Sequence, residues 1–201
     1  MSQPVQQPPV TDIRQKKKRQ LRWIWTGIIV GSLLIVLAFL NTIKVFPKAE
    51  YVNPQFGISF TYPAYWKRED NHSSGALVLL NAPLQSAMDP FSESFNIVVH
   101  DYFGQTTTLS KFTKQVVDGM SSTMWKGMVK VLESKKTRLG GLPAHRLVFE
   151  MRTKELSVKT LQVWTVVGGQ RVFFLTYMAA VKDFDNYKPE IDTILKTFQF
   201  R

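Results

Sequence analysis

The longest apolar run in the chain extends from Trp23 to Ile43, and its 21 residues carry no charge. A helix of about 20 apolar residues crosses the hydrocarbon of a bilayer, so the run predicts one transmembrane helix. Six of the nine residues in the preceding segment 14–22 are basic. Because basic flanks favour the cytoplasmic side, we expect residues 1–22 in the cytoplasm and residues 44–201 outside it. A cleaved signal peptide is disfavoured, since the run exceeds about 15 apolar residues.

Beyond residue 55 the apolar side chains alternate with polar ones in some segments and follow a helical period in others. Alternation or short apolar runs predict seven strands: Phe56–Tyr62, Gly75–Asn81, Phe95–Val99, Met128–Leu139, Pro143–Thr153, Ser157–Val167 and Arg171–Ala180. One apolar face predicts a helix over Leu109–Met120, with Thr108 as its N-cap. A second apolar stripe predicts a helix within Asp183–Phe198, whose main part begins near Pro189.

The connections between these segments indicate the fold class. Gly140-Gly141 and Gly168-Gly169 predict tight hairpins, because such turns need positive φ, and hairpins join antiparallel strands. Residues 172–175 are apolar on both faces, which predicts a central strand. We therefore expect an α+β fold: an antiparallel β-sheet of about six or seven strands with helices packed on it. The domain organisation is a disordered basic tail (1–22), a transmembrane helix (23–43), a linker (44–55) and an extracytoplasmic domain (56–201).

Several motifs of the predicted domain resemble one known family. The segment Phe56–Pro63 followed by Trp66 is similar to the opening of PsbP-like and Mog1-like domains, and Gly141–Ala144 is similar to their motif before a long strand. Tyr177 with Asp183–Tyr187, and the closing Thr197–Phe200, extend the resemblance to about residues 51–201. It implies a PsbP/Mog1-like sandwich and a non-enzymatic accessory role, as in photosystem II extrinsic subunits, cell-envelope lipoproteins and a nuclear GTPase-binding protein. It assigns no ion-binding residue here.

The net charge of +11 is concentrated at the N-terminal side of the chain, where residues 1–49 carry eight basic residues and one acidic residue. Such a juxtamembrane segment is typical of attraction to the anionic lipid of a bilayer. One short basic patch without a recognition fold predicts no nucleic-acid partner. The chain has no cysteine, which excludes disulfides and thiol chemistry.

Motifs that would indicate catalysis are absent: the sequence has no G-x-S-x-G, H-E-x-x-H, P-loop or calcium-loop pattern. Three histidines occur, His72, His100 and His145. A metal site from His100, Asp101 and His145 would require neighbouring strands, and scattered histidines without ligand spacing favour packing or solvent exposure instead. We therefore predict no catalytic residue, no metal and no cofactor.

Five aromatic residues exceed what sheet packing requires, and they are candidates for a partner-binding surface: Trp66, Tyr102, Phe103, Trp125 and Trp164. Aromatic side chains anchor many interfaces, although helices covering both sheet faces would bury them instead. In the membrane segment, Gly27 and Gly31 form a G-x-x-x-G spacing, which allows close helix approach and a homodimer.

These observations favour a single-pass protein of the cell membrane with a signal-anchor. Its extracytoplasmic domain is predicted to be a non-enzymatic accessory protein that docks on a membrane or envelope protein complex. A small-ligand or lipid-binding envelope protein is the alternative, and a large apolar cavity would favour it. A hydrolase is the third hypothesis, which a pocket of polar residues with perturbed pKa values would favour.

Overall fold

In the computed structural model, contacts divide the chain into two units, residues 1–45 and 46–201. The structure describes Ser32 and residues 46–71, 73–84, 91–120, 127–153 and 157–201. The elements of the second unit, in chain order, are β1 (Lys48–Asn53), β2 (Ile58–Pro63), β3 (Lys67–Asp70), β4 (Val78–Asn81), β5 (Ser94–Asp101), α1 (Leu109–Met120), β6 (Val129–Leu139), β7 (Leu142–Arg152), β8 (Ser157–Val167), β9 (Arg171–Ala180), a 3-10 helix (Phe184–Tyr187), α2 (Lys188–Thr197) and β10 (Gln199–Phe200).

Seven strands form an antiparallel sheet in the order β3-β4-β5-β9-β8-β7-β6. Strand β9 is central, as its two apolar faces predict, and it pairs with β5 on one side and β8 on the other. The hairpins β6–β7 and β8–β9 turn at the predicted glycine pairs, and all four of these glycines have positive φ. Side chains with a Cβ disfavour that conformation, so the glycines fix both turns and the strand register with them.

Two layers pack on the seven-stranded sheet, one on each face, and bury its central strands. A three-stranded sheet, β1-β2-β10, and helix α2 contribute side chains to one core cluster with the apolar face of β5, β8 and β9. Helix α1 packs on the other face through Phe112, beside Leu147 and Trp164. The predicted N-cap of α1 is confirmed, because the backbone N–H of Lys111 donates to Thr108 Oγ1 at 3.2 Å.

The structure corrects two predictions about the chain from residue 44 to residue 70. Residues 48–53 form strand β1 rather than part of a linker, and β3 is a further strand that the sequence pattern did not indicate. Tyr51 is the only buried residue of β1, and β3 has none, so neither strand shows apolar alternation. Strand β1 pairs with β2, and the rings of Tyr51 and Phe60 lie 5.0 Å apart. The α+β antiparallel class is correct, but the strands divide into two sheets.

Most of the predicted membrane segment lies outside the described residues. Residues 1–31 and 33–45, which include Gly27 and Gly31, belong to that part of the chain, and Ser32 is helical and exposed. Among the helices that the structure describes, none has the length and apolar character needed to cross a membrane.

Candidate partner-binding surface

Trp164 is a core residue, so its interpretation as part of a partner surface is wrong. Its side chain is 0% exposed, and it lies beneath helix α1. The indole ring stacks between His145, at a centroid distance of 5.0 Å, and Phe174, at 5.4 Å. Its Nε1 donates a hydrogen bond of 2.9 Å to Thr113 Oγ1 on α1. The alternative interpretation, burial by a covering helix, is therefore correct for this residue.

Trp66 is also buried, at 3% exposure, which excludes it from the predicted surface. It follows β2 and belongs to the core cluster on the α2 side of the large sheet. Its ring meets that of Tyr187 edge-on at 5.6 Å, next to the start of α2. Trp125 lies outside the described residues, so its assignment to the surface stays a prediction.

Phe103 is the predicted surface residue that the structure leaves in solvent, with 89% of its area exposed. It occupies the second position of a four-residue turn, in which the N–H of Gln105 donates to the carbonyl of Tyr102 at 3.1 Å. Gly104, the third residue of the turn, has φ +70°, a value typical of a type II turn. This geometry places the Phe103 ring at the corner of the turn and away from the core.

Backbone hydrogen bonds at the first residue of the Phe103 turn and two residues after the turn fix this segment to the β8–β9 hairpin. The N–H of Tyr102 donates to the carbonyl of Gln170 at 2.7 Å, and the N–H of Thr107 donates to the carbonyl of Gly169 at 2.7 Å. Phe103 is therefore an exposed aromatic side chain on an anchored turn. Because the backbone of the turn is already ordered, less backbone freedom is lost on binding, which lowers the entropic cost of an interface.

The turn borders a cavity of about 480 Å³. Its lining comes from segments far apart in sequence, and the aromatic members are Phe56, Tyr102, Phe103, Phe173 and Phe200. Gly57 allows the segments to meet, because its carbonyl accepts a bond of 2.7 Å from the N–H of Arg201. A Cβ at Gly57 would lie 2.8 Å from the Arg201 carbonyl oxygen, closer than real contacts allow. The residues lining this cavity are termed the Phe103 surface.

Two arginines add charge to the Phe103 surface, and each is paired with a carboxylate. Arg171 Nε donates to Asp101 Oδ1 at 2.6 Å, and its guanidinium lies 5.2 Å from the centroid of the Phe56 ring. Arg201 donates to Glu50 Oε1 at 2.8 Å. Aromatic side chains, including Phe, and arginine are enriched at the cores of protein interfaces. The arrangement is suited to non-covalent recognition of a surface by aromatic contact.

The histidine pair considered for metal binding does not come together. His100 is on β5 and His145 is on β7, with β9 and β8 between them. At a strand spacing of about 4.8 Å, their backbones are roughly 14 Å apart. Burial lowers the pKa of His145, whose Nε2 is 2.9 Å from Ser134 Oγ. Within the described ranges, no three His, Asp or Glu side chains are grouped to hold a metal ion.

The sequence pattern identified Tyr102 and Phe103 but missed Phe56, Arg171 and Arg201. Phe56 is one of the alternating apolar residues of the predicted strand, so its pattern indicates packing. Arg171 is the first residue of β9, and Arg201 directly follows β10. No local motif links the three, because only the register β5–β9 and the pairing of β10 with β2 bring them together.

The fold and its surface define an α+β sandwich domain with a solvent-exposed aromatic patch. A family model described as PsbP matches residues 48–200. The chain belongs to the PsbP family, which confirms the resemblance stated above.

Solved structures agree with this assignment. Cyanobacterial PsbP (CyanoP) from Synechocystis sp. PCC 6803 is 16% identical, with a TM-score of 0.54 over 80% of this chain and 96% of its own. LpqN of Mycobacterium tuberculosis is 13% identical, with a TM-score of 0.56 over 76% of this chain and 90% of its own. At these identities the likeness shows the fold alone. The comparison with curated proteins gave no match.

Proposed function

We propose that this protein is a non-enzymatic accessory protein that is anchored in the cell membrane and binds a membrane or envelope protein complex outside the cytoplasm. The anchor is supported by the uncharged run of residues 23–43 and the basic segment before it. An accessory role is supported by membership of the PsbP family. LpqN, which has the same fold, is involved in cell envelope biogenesis.

The observation that carries the binding role is the 89% exposure of Phe103 on an anchored turn. A large aromatic ring in water gains free energy when a partner covers it, at roughly 25 cal/mol per Å² of apolar area. The neighbouring Phe56, Tyr102 and Arg171 extend the contact area around it. The Phe103 surface is therefore the docking site in this proposal.

A photo-crosslinking amino acid at position 103 tests the docking site in intact cells. We expect a discrete adduct with one membrane protein at position 103 and none at position 52, since Val52 is also exposed but lies on β1. Phe103→Ala should abolish copurification of that protein while the stability changes by less than about 0.5 kcal/mol. An adduct with lipid alone would favour the alternative function, lipid binding. No adduct at position 103 would contradict the proposal.

Cysteine labelling tests the membrane topology without background, because the chain has no cysteine. The matched variants are Ser2→Cys in the predicted cytoplasmic tail and Ser110→Cys at an exposed position of α1. An impermeant maleimide should label Ser110→Cys in intact cells and Ser2→Cys only after lysis. The reverse pattern would contradict the orientation, and recovery of the chain in the soluble fraction would contradict the anchor.

A further inference from the structure

Strand β6 forms one edge of the seven-stranded sheet, and it pairs with β7 on one side only among the strands of the described residues. It has 11 residues, whereas β3 at the opposite edge has 4. The outer side of an edge strand presents backbone N–H and C=O groups that can pair with another strand. Strand β6 is therefore long enough to accept an added strand of ordinary length.

The side chains along β6 combine apolar and basic groups in solvent. Met128, directly before β6, is 40% exposed, and Val131 and Leu132 within it are 47% and 42% exposed. A register shift between Val131 and Glu133 marks a bulge at this point. Four basic residues of β6 outnumber its single acidic residue. Lysines and bulges protect many edges from aggregation. Protection alone does not explain why three large apolar side chains are exposed at the same place.

A cleft of about 270 Å³ opens beside Leu132, between the large sheet and the helices at residues 184–197. Its floor is one cross-strand row that begins at Glu133 on β6 and continues through Val148, Leu161 and Tyr177. The last three side chains are buried and make the floor apolar, while Arg146, Lys159, Asp185, Lys188 and Asp192 add charged groups to the lining. The cleft therefore offers an apolar floor within a partly charged lining, next to an open sheet edge.

We propose that β6 binds an extended acidic segment of a partner protein as an added strand, with one apolar side chain of that segment in the cleft beside Leu132. In strand addition, main-chain hydrogen bonds provide affinity and side-chain pockets provide specificity. The exposed edge of β6 supplies the main-chain hydrogen bonds, and the cleft supplies the side-chain pocket. This site is distinct from the Phe103 surface and does not depend on the proposed function.

The charge on β6 selects an acidic occupant. At the opposite edge, both basic residues of β3 form ion pairs with acidic residues of the same strand. Lys67 lies 2.8 Å from Glu69, and Arg68 lies 2.7 Å from Asp70. On β6, Lys135 pairs with Glu133 at 2.9 Å, whereas Lys130 and Lys136 form no ion pair with any residue that the structure describes. A second copy of the chain would bring the same basic strand against itself. Like charges on adjacent strands are destabilising, so an acidic segment fits better than self-pairing.

The test uses the full 201-residue chain in zwitterionic detergent micelles and two labelled peptides. One peptide alternates Glu with Val and Leu, and the other carries Lys in place of each Glu. We expect the acidic peptide to bind more tightly in fluorescence anisotropy, with amide exchange slowed along β6, because an added strand protects outward amides. Equal binding of both peptides, or no slowing within β6, would overturn the proposal.

Charge reversal tests which residues attract the peptide. Lys130→Glu with Lys136→Glu should weaken binding roughly ten-fold, because each substitution replaces an attraction to the acidic peptide with a repulsion. The matched control, Lys67→Glu with Lys111→Glu, makes the same change in net charge away from β6 and should leave the affinity unchanged. Equal loss in both variants would show unspecific attraction and refute the site. If the chain sediments as a dimer that Leu132→Ser disrupts, the occupant is a second copy and the acidic assignment is wrong.

Discussion

The hydrogen bond between Trp164 and Thr113 links helix α1 to the large sheet, and Thr113→Val tests its contribution. The indole Nε1 is fully buried and donates to Thr113 Oγ1 at 2.9 Å. Valine has nearly the same shape as threonine and is also β-branched, so the substitution removes the acceptor with little change in packing. A buried donor without a partner costs about 1–3 kcal/mol. Because Thr113 is only half-buried, we expect the lower part of that range, about 1–2 kcal/mol.

A double-mutant cycle separates the hydrogen bond from ring packing. Trp164→Phe removes the donor and part of the contacts with His145 and Phe174, at a cost of roughly 2 kcal/mol. Once the donor is gone, Thr113→Val should have little further effect, so the two substitutions should be non-additive by about 1 kcal/mol. Urea unfolding of residues 46–201, monitored by circular dichroism, measures the free energies of unfolding.

The control for this cycle is Thr106→Val, the same chemical change at an exposed position before α1. It should alter the free energy of unfolding by less than about 0.5 kcal/mol. Strict additivity of Thr113→Val and Trp164→Phe would refute the inference that this bond fixes α1. A loss for Thr113→Val no larger than that of Thr106→Val would refute it as well.

Three further predictions concern other parts of the chain. Gly57→Ala should lower the free energy of urea unfolding by at least about 1 kcal/mol more than Gly75→Ala does, because both glycines have positive φ but only the Gly57 Cβ would meet a backbone atom. Partial burial, with 42% of the residue still exposed, and the hydrogen bond to Glu190 raise the pKa of Tyr65 from 10.0 to about 12. The stability that the protonated Tyr65 hydroxyl contributes is complete below pH 10 and is lost as the pH rises towards 12. The thermal unfolding temperature of Tyr65→Phe should therefore fall less steeply over this pH range than that of the unsubstituted protein. Gly31→Ile should weaken self-association in a membrane two-hybrid assay, and no change would exclude a homodimer through this spacing.

The strands and helices that the sequence predicted best are those with complete apolar periodicity. Strands β8 and β9 and helix α1 have the predicted bounds, because each packs an apolar stripe against a neighbouring layer. Strand β1 could not be predicted in this way, since Tyr51 is its only buried side chain. Its pairing with β2 depends on tertiary contact between Tyr51 and Phe60, which periodicity does not report.

The aromatic residues of the predicted surface show the limit of sequence reasoning for a binding site. Phe103 and Trp164 both stand out from the packing pattern, yet one is exposed and the other is buried. The difference arises from α1, which covers the face of β8 that carries Trp164, while the turn at Gly104 directs Phe103 into solvent. Burial of a sheet face depends on where a helix docks, and docking involves residues distant in sequence.

The Phe103 surface and the β6 edge are far enough apart to act independently. Asp101, Arg171 and Val167 are cross-strand neighbours beside the Phe103 turn. The cross-strand neighbours that form the floor of the cleft include Leu161 on β8. Leu161 and Val167 are six residues apart along β8. Six residues of strand span about 20 Å, and the four strand spacings from β5 to β6 add about 19 Å across the sheet. Substitutions at such separations are usually additive. Phe103→Ala should therefore leave peptide binding at β6 unchanged, and coupled losses at the two sites would imply one partner large enough to contact both.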